Sequence, residues 1–87
     1  MNNIQSKLYT MEIKILGTGC PKCKALEKVT RDVVAENSIE ANVIKVEDIM
    51  DIMKFGIMTT PALVIDGKVV LKGYVPSKEE VKKLLTI

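Results

Sequence analysis

The sequence predicts an α/β domain: a four-stranded mixed sheet flanked by three helices, in the order β-α-β-α-β-β-α. Three observations predict it. A Cys-x-x-Cys follows an alternating apolar segment and opens a run with helical periodicity. Asp66-Gly67 separates two apolar, β-branched runs. Helix-spaced segments fall between the first two strands, before the hairpin and at the C-terminus. A strand–helix–strand unit implies parallel pairing, and the late hairpin adds antiparallel strands to the same sheet.

Residues 1–10 are polar and aperiodic and read as an N-terminal extension, either a short extra strand or an alternative start. The domain proper is assigned to residues 11–87. Met11 to Leu16 alternates as a strand, with Met11, Ile13 and Ile15 on one face. Gly17-Thr18-Gly19 breaks it and gives the turn its backbone freedom. A helix is predicted from Pro21 to about Asn37. Pro21 suits the first turn, Leu26, Val29 and Val33 share a face, and Asn37 caps the end. Glu27 and Arg31 form an i,i+4 pair within a face read as solvated, together with Lys28 and Asp32.

Ile39 to Val46 reads as a strand buried on both faces, with Ala41 and Val43 on one side and Ile44 and Val46 on the other. Asp48 caps a short helix to about Phe55, which Gly56 ends. Met50, Met53 and Met58 read as core filler. Ala62–Ile65 and Lys68–Leu71 flank Asp66-Gly67, the signal of a two-residue type I′ hairpin. Ser77 and Glu80 have the spacing of a capping box for a final helix, about Lys78 to Leu85, that buries Val81, Leu84 and Leu85.

Eighty-seven residues suit one domain, and 47% apolar with 28% charged residues is the balance of an ordinary soluble globular protein. The net charge of +2 arises from 13 basic and 11 acidic residues that are interspersed. That pattern, with three scattered aromatics, points away from nucleic acid and from anionic membranes. No apolar stretch approaches the ~18 residues of a membrane span, and the N-terminus lacks a secretory apolar core. A reducing cytoplasm is therefore expected, where paired cysteines indicate redox or metal chemistry. The chain has no histidine, which excludes histidine bases and histidine metal ligands.

The chemistry is assigned to Cys20 and Cys23. At a helix N-terminus, unpaired N–H groups and the helix dipole favour a thiolate, the nucleophile of disulfide exchange. Lys22 and Lys24 add positive charge nearby. Cys23, one turn further in, is expected to be the more buried and to stay protonated. Two intervening residues allow the sulfurs to close to the ~2.05 Å of a disulfide. Pro61, opening a strand, cannot donate to the ladder there.

The segments Gly17-Thr-Gly-Cys-Pro-Lys-Cys23, Thr59-Thr-Pro-Ala-Leu-Val-Ile-Asp-Gly-Lys-Val-Val70, Gly73 and Val75-Pro-Ser77 together resemble a known group. It is that of the small thioredoxin-like proteins called redox-active disulfide protein 2, over roughly residues 11–85. The resemblance implies a thioredoxin fold, with Cys20 attacking, Cys23 resolving and no bound cofactor. It implies a cis Pro61, with Thr60 offering backbone to the substrate and Gly73 lining the same groove. Disulfide-containing proteins are the implied substrates of a monomer. A thioredoxin reductase and glutathione both stand as possible electron donors. Gly19 replaces the tryptophan that precedes the first cysteine in typical thioredoxins. Counting back to the position of their buried carboxylate reaches Lys14 or Glu12, which leaves the proton acceptor for Cys23 unassigned.

Two structural cysteines would make the strand–Gly–Cys–Pro opening a coincidence, and a four-thiolate zinc site needs two more ligands. A Cu(I) carrier also suits two thiolates, but such ferredoxin-like carriers run β-α-β-β-α-β. A redox-regulated adaptor, oxidised once without cycling, is the reading outside enzymology.

Overall fold

Alternation along the strands and helical spacing between them sort the apolar side chains into two layers, one on each face of a single sheet. The structure is a computed structural model and describes residues 10–86. Apart from Thr10, the extension assigned to residues 1–10 lies outside the described residues, as does Ile87.

The elements are β1 (Met11–Leu16), α1 (Pro21–Glu36), β2 (Ala41–Val46), α2 (Ile49–Met53), β3 (Ala62–Ile65), β4 (Lys68–Lys72) and α3 (Lys78–Leu85). The sheet order is β2-β1-β3-β4. Strands β1 and β2 are parallel, while β3 is antiparallel to both β1 and β4. This is the predicted four-stranded mixed sheet with three helices, and its order differs from that of a ferredoxin-like carrier.

Ile13 and Ile15 of β1, with Leu63 and Leu71, form one core with Leu26 and Val33 of α1 and Val81 and Leu85 of α3. On the opposite face Leu16, Ala62 and Val64 pack with Ile52 of α2 and with Ile57. Strands β1 and β3, the two central strands, thus both carry buried residues on the two faces. At the hairpin both Asp66 and Gly67 take positive φ, at 50° and 85°, as a type I′ turn requires. The turn is clasped to β1: the Asp66 N–H donates to the Glu12 carbonyl at 2.8 Å, and the Glu12 N–H donates to Asp66 Oδ1 at 2.9 Å. Between the Leu63–Leu71 and Val64–Val69 pairs, Val70 is the extra residue of a bulge.

Four expectations need correction. Strand β2 begins at Ala41, because α1 ends in a Schellman turn that consumes Ser38 and Ile39. Ser38 has φ 50°, and the Ile39 N–H returns to the Val34 carbonyl at 3.0 Å. No glycine marks that turn, so composition does not announce it. Strand β2 is also an edge strand rather than one buried on both faces, which leaves Ile44 39% exposed. Helix α2 spans five residues and turns inward chiefly through Ile52, so Met50, Met53 and Met58 face outward instead of filling the core. The Ser77 hydroxyl accepts from the Glu80 N–H at 3.2 Å, but the Glu80 carboxylate binds the Tyr74 hydroxyl, so only half of the capping box forms.

Candidate active site

Strand β1 and helix α1 meet in a tight loop at the C-terminal end of the sheet. Cys20 is the N-cap of α1, with extended backbone at φ −70° and ψ 165°, and Pro21 follows as the first helical residue. A capping side chain normally offers oxygen to the second or third N–H of the helix. Here a sulfur does so: the Cys23 N–H donates to Cys20 Sγ at 3.3 Å. Both thiols are free, and their sulfurs lie 2.6 Å apart in hydrogen-bond contact.

The two sulfurs have opposite surroundings. Cys20 is partly exposed and Cys23 is 5% exposed. The hydrogen bond from the Cys23 side chain, supported by the Cys23 N–H, holds the Cys20 thiol below the ordinary thiol range. Burial, with the hydrogen bond to Cys20, pushes the Cys23 thiol up. Of the pair, Cys20 is therefore the one that ionises first, and Cys23 keeps its proton. Lys22 lies exposed on α1, and it acts on Cys20 through its backbone N–H.

The Thr60–Pro61 peptide bond is cis, and Pro61 is buried. A cleft of about 260 Å³ joins Thr60 to Thr18 of the loop before Cys20, walled by Ile49, Ile52, Met53, Ile57 and Met58. The Gly73 N–H donates to the Pro61 carbonyl at 2.8 Å. Gly73 has φ 89°, and a Cβ there would press to 3.2 Å from Thr59 Cγ2. Cys20 and Cys23 thus form one contact pair. Thr60, Pro61 and Gly73 form a second group, linked to the first through the cleft at Thr18.

Gly17 has a role beyond turn freedom. A Cβ on it would come within 2.9 Å of Cys23 Cβ, and closer still to Cys23 Sγ. The backbone of Gly17 forms the floor on which the Cys23 thiol rests. Neither Lys14 nor Glu12 turns toward Cys23. Lys14 sits over the Phe55 ring at 5.5 Å and lies 3.8 Å from Glu12, on the α2 face of the sheet. Ile15 faces Cys23 instead.

Glu27 is not simply solvated. One helical turn after Cys23, its side chain is 23% exposed and accepts from Arg31 Nε at 2.9 Å. Lys45 of β2 pairs with Ile15 in the strand register and so points to the same face. It lies 3.7 Å from Glu27 and 3.6 Å from Glu47. The spacing of Glu27 from Cys23 was a signal in the sequence, but the closure by Lys45 depends on register and was not legible there.

Residues 11–86 match a family model described as a thioredoxin domain. The chain is 42% identical over 76 residues to a thioredoxin of Methanothermobacter thermautotrophicus, covering 87% of this chain and 99% of that one. It is 38% identical over 73 residues to a thioredoxin of Methanocaldococcus jannaschii, covering 84% of each. Among solved structures, chloroplastic thioredoxin z superposes with a TM-score of 0.67 at 16% identity, over 97% of this chain and 85% of that one, which shows the shared fold. No helix among the described residues is long and apolar enough to cross a membrane. The chain belongs to the thioredoxin family of thiol–disulfide oxidoreductases.

Proposed function

We propose that the chain exchanges its dithiol with disulfides of protein substrates through Cys20-Pro21-Lys22-Cys23. The observation that carries this reading is the asymmetry of two sulfurs 2.6 Å apart, one partly exposed and acidified, the other buried and protonated. The Cys20 thiolate attacks one sulfur of the substrate disulfide, forming the Cys20–substrate bond and releasing the other substrate sulfur as a thiolate. Cys23 then loses its proton and attacks Cys20 Sγ. The Cys20–Cys23 bond forms, the Cys20–substrate bond breaks, and the reduced substrate leaves with both electrons. Thr60 presents backbone to the substrate beside Pro61, and Gly73 keeps that groove open.

The reading extends to membership of the redox-active disulfide protein 2 group, to a cytoplasmic monomer and to turnover without a bound cofactor. Re-reduction of the Cys20–Cys23 disulfide falls to a thioredoxin reductase or to glutathione. Single substitutions test the order of attack. Cys23→Ser accumulates a substrate mixed disulfide on Cys20, read by intact-mass spectrometry, whereas Cys20→Ser forms none and loses turnover. Equal behaviour of the two variants overturns the assignment.

A further inference from the structure

Cys23 must give up a proton that its surroundings hold tightly, and the apolar Ile15 beside it offers no acceptor. A cavity of about 20 Å³ opens against Cys23, between Ile15 and Gly17 on one side and Glu27, Lys45 and Glu47 on the other. A single water needs roughly 10–15 Å³ and two to four polar partners. The cavity meets both conditions. Its polar wall is also held in place: Arg31 and Lys45 fix the Glu27 carboxylate from two elements, and Lys45 bridges to Glu47.

We propose that Glu27 is the positioning residue for proton release from Cys23, acting through one water in this cavity, with Lys45 holding its carboxylate in place. In the resolving step the Cys23 S–H bond breaks as Cys23 Sγ bonds to Cys20 Sγ. The proton passes to the water, which passes one of its own to Glu27 and thence to solvent. The electron pair of the Cys20–substrate bond leaves with the substrate sulfur. The charged and titratable groups facing this space are Cys23, Lys24 and Glu27 from α1, and Lys45 and Glu47 from β2 and its exit, with Cys20 in contact with Cys23 and Arg31 bonded to Glu27 behind them. Arg31, foremost, holds the Glu27 carboxyl below the usual carboxylate range, so it stays ionised wherever the dithiol works and hands any proton it takes on to solvent.

The inference rests on Cys23 being the resolving thiol, and one experiment separates the two claims. A mixed disulfide between full-length protein and a thiol-labelled peptide is formed, its site is mapped by mass spectrometry, and its decay is followed by stopped flow from about pH 5.5 to 9.5. General acid–base assistance is worth roughly 10²–10⁴-fold. Glu27→Gln should slow decay at least tenfold near pH 6.5 and converge with wild type at the alkaline end, where the thiolate forms unaided. Glu27→Asp should recover part of the rate. Attack by Cys20, measured in the same variant, should be unchanged, and Glu36→Gln, far from the cavity, should alter neither step. Three results overturn the inference: no change in Glu27→Gln, equal slowing at every pH, or faster decay near neutrality, the signature of a carboxylate that merely repels the Cys23 thiolate. A mixed disulfide mapped to Cys23 instead overturns the order of attack.

Discussion

Replacing Gly17 by alanine tests how closely the resolving thiol is seated on the sheet. Gly17 does not need a positive φ, so alanine is permitted by the backbone, and any loss comes from contact. The added methyl lies 2.9 Å from Cys23 Cβ and nearer to its sulfur, inside the separation that real side chains show. The loop cannot retreat easily, because the Gly17 N–H is bonded to the Val46 carbonyl at 3.0 Å. Nor can Cys23, buried on a helix packed against β1 and α3. Overpacking of this kind costs about 1–3 kcal/mol. Glycine-to-alanine change restrains the unfolded chain and returns about 0.4–1 kcal/mol. The contact wins, for a net loss of about 1–2 kcal/mol. At about 4–8 °C per kcal/mol for a domain of this size, Tm falls by roughly 5–15 °C. Urea unfolding of the reduced protein measures the loss, in wild type and again in a Cys23→Ala background. Without the sulfur the substitution should cost less, by a coupling of at least about 0.5 kcal/mol. Equal cost in the two backgrounds, or no cost at all, refutes the reasoning.

The depressed Cys20 thiol also leaves a signature in stability. The folded state releases this proton at lower pH than the unfolded chain, whose thiol titrates near about 8.5. The reduced protein therefore gains stability as pH rises from the folded pKa toward that value and loses it again on acidification. Cys23, displaced upward, removes stability only above it. Cys20→Ser should flatten the rise, and parallel pH–stability curves for variant and wild type would exclude it. At Thr30, buried in α1, the hydroxyl has no hydrogen-bond partner among the described residues. Thr30→Val keeps the shape and removes the stranded polar atom, so it should stabilise by about 1 kcal/mol in urea unfolding; a loss of similar size would mean the hydroxyl is satisfied.

The features legible in the sequence were those set by local chemistry. Asp66-Gly67 demands a type I′ turn wherever it falls between apolar strands, and Pro21 after Cys20 marks a helix start regardless of context. The two cysteines and their unequal burial followed from that helix start. What depends on neighbours in space was hidden. Alternation in Ala41–Val46 says that a strand has apolar side chains, but not that a second strand is missing on one edge. The three methionines read as filler because which face of α2 turns inward, chiefly that of Ile52, is set by its docking on the sheet, and the helix also ends two residues short of Phe55. Gly17 and Gly19 looked alike as turn residues, though it is Gly17 whose missing Cβ leaves room for the Cys23 sulfur. Glu27 reads as solvated because the residue that closes over it, Lys45, comes 18 residues later in β2 and is placed opposite Ile15 by register alone.

Cys20 hangs from the end of β1, which has a neighbour on each side in the sheet. Edges and termini fray at little cost, but lifting this loop by fraying means parting β1 from two strands together. Thermal breathing of the molecule is thus diverted away from the sulfurs. The loop that carries them keeps its seat while the outer edge of β2 opens and closes.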